Sequence, residues 1–113
     1  MNQFSTDLNK NKANYVPLTP LSFITRAKDI YPNYDSVVYG NRSYTWLQTY
    51  YRCTKFASAL SKKGIGLGST VSIIAANTPE LLEAHYSIPM TGGVVNTINT
   101  RLDAETIAYI LEH

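Results

Sequence analysis

TVSIIAANTPELLEAHYSIPMTGGVVNTIN, residues 70–99, changes its hydrophobic period twice. Thr70-Val-Ser-Ile-Ile-Ala75 is a short apolar run rich in β-branched side chains, which is the pattern of a buried strand. Ala76-Asn77-Thr78-Pro79 stops it. Thr78 is placed as an N-cap, and Pro79 sits at the first helical position, where its missing N–H would have had no partner. Leu81, Leu82, Ala84 and Ile88 then carry a helical period as far as Pro89, with Glu80 and Glu83 between them. Gly92 and Gly93 close that helix, and Val94-Val-Asn-Thr-Ile98 is a second β-rich run. Strand, helix and strand in this order predict a βαβ unit with its two strands parallel.

Upstream of this unit the signals are local and dense. Thr19 and Pro20 start a helix in the same cap-then-proline manner. Its face is formed by Leu21, Ile24, Ala27, Lys28 and Tyr31, and it ends at Pro32 and the Asn33-Tyr34-Asp35 run. Ser36-Val-Val-Tyr39 and Arg42-Ser-Tyr-Thr45 flank Gly40-Asn41, a two-residue loop suited to a tight hairpin because both residues tolerate positive φ. Thr45-Trp-Leu-Gln48 is a capping box that opens the next helix, which extends to Lys62 or Lys63. Trp46, Tyr50, Cys53, Ala57 and Leu60 make its apolar stripe, and Gly64 is its expected left-handed cap.

Downstream, Asp103 is the N-cap of a last helix, with Leu102 and Ile107 spaced as a hydrophobic staple. Ile107, Ile110 and Leu111 are its expected buried side, and the chain reaches His113 with that helix still lacking a C-cap. At the other end, residues 1–14 are polar and aperiodic and read as a disordered lead-in.

Composition bounds the function. A chain of 113 residues with 44% hydrophobic and 16% charged residues suits one globular domain with a modest core. The net charge of +2 offers no electrostatic footprint for nucleic acid or an anionic membrane. The nine tyrosines fall in strand and helix patterns without interleaved arginine and lysine, so packing accounts for them better than base stacking. Cys53 stands alone, which excludes an internal disulfide and suits a reducing compartment. There is no long apolar run for a membrane helix and no apolar signal-peptide core, so a cytoplasmic protein is expected.

Candidate chemistry is sparse. His85 lies mid-helix on the stripe of Leu81 and Ile88, where a half-buried, hydrogen-bonded imidazole is the plainer reading than a catalyst. Cys53 faces the core of its helix and reads as inert packing. Glu80 and Glu83 occupy the first turns of a helix, where they complement its dipole. Asn77 and Thr78 follow a parallel strand, the place where open α/β sheets bind ligands, although capping explains them equally well. Gly64-Ile-Gly-Leu-Gly68 resembles a phosphate loop only superficially: it closes a helix and opens a strand, the reverse of what phosphate binding needs.

Taken in order, several segments resemble the beginning of the AMP-forming acyl-CoA synthetases, within the superfamily of acyl-adenylating ligases. They include Pro17-Leu-Thr-Pro-Leu-Ser-Phe23, Ser36-Val-Val-Tyr-Gly40, Tyr44-Thr-Trp46 and Gly64-Ile-Gly-Leu-Gly68. Asn77-Thr-Pro-Glu80, Gly93-Val-Val-Asn-Thr-Ile-Asn99 and Arg101-Leu-Asp-Ala-Glu-Thr-Ile107 continue the match. The ordered set carries the resemblance, since no single motif is diagnostic.

The resemblance implies an α/β fold, a hairpin plus a βαβ unit, with residues 15–113 as the start of the large N-terminal domain of an adenylate-forming enzyme. It implies a parent that uses ATP, magnesium ion and CoA to activate a medium-chain fatty or aromatic carboxylate through an acyl-adenylate. The family's phosphate loop, adenine and ribose motifs and C-terminal lysine have no counterpart in residues 1–113. No residue here is therefore assigned a catalytic, cofactor-binding or metal-ligating role, and no cofactor is expected to bind this stretch alone. Its expected partners are the remainder of its own chain and, in the parent, the carboxylate, ATP and CoA, with no nucleic acid and no integral membrane segment. The alternative is a complete small α/β binding or scaffolding module without catalysis.

Overall fold

The structure, a computed structural model, describes residues 9–113. Its elements are α1 (Pro20–Ile30), β1 (Asp35–Tyr39), β2 (Arg42–Thr45), α2 (Trp46–Lys62), β3 (Thr70–Ile74), α3 (Pro79–Met90), β4 (Val94–Ile98) and α4 (Ala104–Glu112). The mixed α/β architecture of a hairpin followed by a βαβ unit is present as the sequence predicts. Most of the expected lead-in, residues 1–8, lies outside the described residues. Just after it, the Asn11 amide donates to Asn14 Oδ1 at 2.9 Å and the Tyr15 amide to the Asn11 carbonyl at 3.0 Å, forming a turn.

The caps account for where the helices begin. Thr19 and Ser22 form a reciprocal capping box at α1, and Thr45 and Gln48 form another at α2. The Gln48 amide donates to Thr45 Oγ1 at 3.2 Å while Gln48 Oε1 accepts from the Thr45 amide at 2.9 Å. At the end of α2 the Ile65 amide bonds back to the Leu60 carbonyl at 3.1 Å and the Gly64 amide to the Ser61 carbonyl at 3.0 Å. That is a Schellman closure, and it requires the left-handed φ of +84° that Gly64 adopts. The α3 start differs from expectation in one respect: Thr78 has the extended N-cap backbone, but its hydroxyl makes no capping bond. The same helix runs through Pro89 to Met90 before Gly92 turns the chain.

β1 and β2 pair antiparallel across Gly40-Asn41, with an irregularity between Asp35 and Val37. The displaced Ser36 donates to the Tyr44 carbonyl at 3.0 Å and shares a hydrogen bond with the buried Thr49 hydroxyl of α2. The irregularity thus re-aims one side chain and ties hairpin to helix. β3 and β4 pair in parallel, from Thr70 opposite Val94 to Ile74 opposite Ile98.

The core lies among α1, α2 and α3, where Ile24, Cys53, Ala57, Ala84 and Ile88 are buried, and Ile98 of β4 joins them in burial. Two expectations about burial are corrected. β3 alternates between half-buried and exposed positions, with Ile74 51% exposed, so it is not a strand covered on both faces. α4 has no buried residue, with Ile107 and Ile110 half-buried and Leu111 57% exposed, because no other described element packs extensively against the helix.

Candidate functional site

Because β3 and β4 are parallel and in register to their last residues, their carboxyl ends open together. The chain leaves β3 through Ala75-Ala76-Asn77 and leaves β4 through Asn99-Thr100-Arg101. Between these two exits lies a cavity of about 670 Å³, lined by Asn77, His85, Thr97, Asn99, Thr100 and Arg101 among others. This is the crevice in which an open α/β sheet presents ligands, outside the carboxyl ends of its strands. A second hollow of about 720 Å³ lies between the hairpin and α3, with a mainly apolar lining that includes Val37, Val38, Leu82, Tyr86 and Val95.

Of the residues singled out by sequence, Asn77 and His85 reach both hollows. The expected half-buried His85 is instead exposed, since its helix face looks into these open spaces rather than into the core. The expected hydrogen bond is present: Nδ1 lies 2.8 Å from the Leu81 carbonyl and donates to it. Cys53 is fully buried, with its Sγ 3.7 Å from the Glu83 carbonyl, and burial pushes its thiol up to about 11. A thiol so protonated is a packing group and not a nucleophile.

Glu80 and Glu83 do more than complement a dipole. Glu83 is only 5% exposed, and its carboxylate is gripped by Arg52 of α2, with Nη2 3.1 Å from Oε2 and Nε on Oε1. Glu80 accepts from Arg42 Nη1 of β2 at 2.9 Å and lies 3.8 Å from Arg52. Arg52 also stacks over the Tyr44 ring at 4.5 Å. The four charges join hairpin, α2 and α3 into one body. Sequence reading missed the network because the arginines and glutamates lie about thirty or more residues apart, and no local pattern links them.

Whether these residues suit a magnesium–nucleotide complex can be tested on the donors. The two buried or paired glutamates already have arginine partners, and among the described residues no group of three His, Cys, Asp or Glu side chains is placed to hold a metal ion. The glycines at 64 and 68 both take φ of +84° as cap and turn, with no helix starting behind them to receive a phosphate. The described residues offer neither a metal-ligand set nor a phosphate loop, and no chemical step is derived through a bound metal here.

The sequence profile of the AMP-binding enzymes matches residues 24–113. The chain belongs to this family. An acetate–CoA ligase of Humulus lupulus is 59% identical over 95% of this chain and 19% of its own length. A peroxisomal acetate/butyrate–CoA ligase of Arabidopsis thaliana is 53% identical over 95% of this chain and 19% of its own length. A peroxisomal benzoate–CoA ligase of the same plant is 50% identical over 95% of this chain and 18% of its own length. The chain therefore spans about a fifth of the length of these relatives.

Solved structures share the fold. A long-chain-fatty-acid–CoA ligase homologue of Rhodopseudomonas palustris superposes with a TM-score of 0.79 at 24% identity, over 83% of this chain and 24% of that one. The N-terminal subdomain of Klebsiella oxytoca NpsA gives 0.77 at 18% identity, over 82% of this chain and 24% of that one. The o-succinylbenzoate–CoA synthetase of Bacillus subtilis, solved with ATP and magnesium ion, gives 0.74 at 19% identity, over 80% of this chain and 25% of that one.

The comparisons overturn one expectation. Relatives of 50% to 53% identity are named peroxisomal, which conflicts with a cytoplasmic protein. Overall composition was a poor guide because organelle addresses are short receptor-read signals, not properties of a domain's surface. No helix of the described residues is long and apolar enough to cross a membrane.

Proposed function

We propose that this chain is the opening part of an ATP-dependent, AMP-forming acid–thiol ligase. In the parent, a carboxylate oxygen attacks the α-phosphorus of ATP, pyrophosphate leaves, and the resulting acyl-adenylate is attacked by the CoA thiolate with departure of AMP. The observation that carries this reading is the 59% identity to an acetate–CoA ligase across 95% of the chain. Names of related chains run from acetate and butyrate to benzoate and trans-cinnamate, which supports a short aliphatic or an aromatic carboxylate as substrate, and not the medium-chain acid expected from the sequence. The five relatives named peroxisomal support a peroxisomal parent, which a fluorescent fusion of the full chain would test.

Within such an enzyme, residues 9–113 act as a scaffold that presents the carboxyl ends of β3 and β4. The donors aimed at the reacting α-phosphate and the metal site belong to the remainder of the chain, since catalysis of adenylation needs fixed donors aimed at developing charge. Exposed Val38, Leu67, Ile74 and Val94 are the surfaces on which that remainder would rest.

Carboxylate-dependent pyrophosphate exchange on the full-length chain is the test. Exchange with acetate, butyrate, hexanoate, benzoate or cinnamate, followed by thioester formation on adding CoA, is the expected result. A folded parent silent across that panel removes the ligase reading.

A further inference from the structure

The strand-end cavity has a charge character that the family assignment does not explain. Its lining contains one cation, Arg101, and no acidic residue. Among the described residues the Arg101 guanidinium has neither an ion-pair partner nor a hydrogen-bond acceptor, in contrast to Arg42 and Arg52, which are both engaged by glutamates. Nearby acceptors are already committed. Asn99 Oδ1 receives the Arg101 backbone amide at 3.0 Å, and both carboxylate oxygens of Asp103 are taken by Thr106, at 2.8 and 3.0 Å. Asp103 and Glu105, the acids of the adjoining α4 start, do not line the cavity.

On the opposite wall, the Asn77 side-chain amide makes no hydrogen bond to any described residue. Asn77 lies two residues before the start of α3, so the partial positive charge of that helix end has the same sign as Arg101. His85 spends Nδ1 on the Leu81 carbonyl, which leaves Nε2 as an acceptor in the neutral ring. The donors of the cavity are therefore the Arg101 guanidinium, its one cation, together with the side-chain amides of Asn77 and Asn99 and the hydroxyls of Thr97 and Thr100.

We propose that this cavity binds an anionic group, a phosphate or a carboxylate, with Arg101 as its counter-charge and the Asn77 amide as a second donor. A planar guanidinium forks onto two oxygens of either group, so the geometry alone does not separate the two sources. The inference deepens the proposed ligase, whose three substrates all carry such groups, and it assigns the recognition of one of them to this part of the chain.

The experiment uses the full-length protein and measures binding of magnesium–ATP, butyrate and CoA separately by calorimetry. Wild type, Arg101→Gln, Arg101→Lys and Asn77→Ala are compared. Loss of one charge-assisted contact weakens binding by roughly 10- to 100-fold. Arg101→Gln is expected to weaken one of the three by that factor and leave the other two unchanged, Arg101→Lys to restore part of it, and Asn77→Ala to weaken the same one. A phosphate source appears in the ATP or CoA arm, and a carboxylate source in the butyrate arm. Unchanged binding in all three arms overturns the proposal. So does a uniform loss in all three together with a lowered melting temperature, which would mark Arg101 as structural. Failure of the ligase reading registers separately: a wild type that binds these molecules in an Arg101-dependent way but supports no pyrophosphate exchange keeps the site and loses the reaction.

Discussion

Arg52 of α2 holds the carboxylate of Glu83 of α3 through two guanidinium nitrogens, in a pair that is closed from water on the glutamate side and open on the arginine side. The asymmetry has an energetic meaning. Glu83 side-chain exposure is 7%, so it depends on Arg52 for its solvation, whereas Arg52, at 37%, retains water of its own.

Arg52→Ala in the full-length protein is therefore expected to destabilise it by about 2–3 kcal/mol, the scale of a lost charged hydrogen-bond pair leaving a buried carboxylate. Arg52→Met combined with Glu83→Leu removes the charge together with its partner, and should recover more than half of that loss. Urea denaturation of the single and double variants measures both. A double variant no better than Arg52→Ala would show that packing, not the unpaired charge, carries the effect.

Glu80 ties stability to acid. Its own backbone amide and the Arg42 guanidinium hold its carboxyl down to about 2, below the ordinary 4.5. A lowered folded-state value means that the stabilisation is complete above the unfolded value near 4.5 and disappears as pH falls towards 2. The stability difference between wild type and Glu80→Gln should be constant at neutral pH and shrink across that interval. Both partners are exposed, so about 1 M salt should flatten the difference.

Cys53 should behave as a buried reporter of unfolding. With its thiol pushed up to about 11 from 9, it stays protonated at neutral pH, and the stability tied to the neutral form is lost only as pH rises from 9 towards 11. Labelling by an aromatic disulfide at about pH 8 should be slow in the native protein and rise along the urea transition. Fast labelling in the absence of denaturant would mean that α2 and α3 part readily.

Gly93 is required for space. A Cβ there would lie 3.2 Å from Thr91 Oγ1, 3.3 Å from the Ser69 carbonyl and 3.4 Å from Ile88 Cγ2. The Ser69 carbonyl cannot withdraw, because it accepts the Val94 amide at 2.8 Å and starts the β3–β4 pairing. Gly93→Val should cost about 1–3 kcal/mol through overpacking. Gly40→Ala, with open space around its Cβ but a φ of +59°, should cost about 1–2 kcal/mol from backbone strain alone. Melting temperatures of the two variants in the full-length protein compare a steric with a conformational penalty.

What could be read without coordinates was whatever a few neighbouring residues settle among themselves. The Thr19 and Thr45 caps, the Gly40-Asn41 turn, the Gly64 closure and the two parallel runs are decided by local dihedral preference and by the period of apolar side chains. The apolar stripe of α2 was legible in the same way, apart from Thr49. Its burial depends on a hydroxyl supplied by Ser36, which the strand irregularity turns towards it.

The candidate site was half legible. Asn77 follows a parallel strand, so its place at a ligand crevice could be inferred from topology. That Arg101 lines the same cavity could not, since the two residues share it only because Ile74 and Ile98 end their strands in register. Helix starts, strand runs and turns followed from the sequence by itself, because each is a choice among backbone conformations made within one turn of chain. Which glutamate is buried, which strand face stays open, and which arginines are engaged by glutamates were decided by tertiary structure. Burial and charge pairing are properties of what another element brings alongside, and no residue carries that information alone.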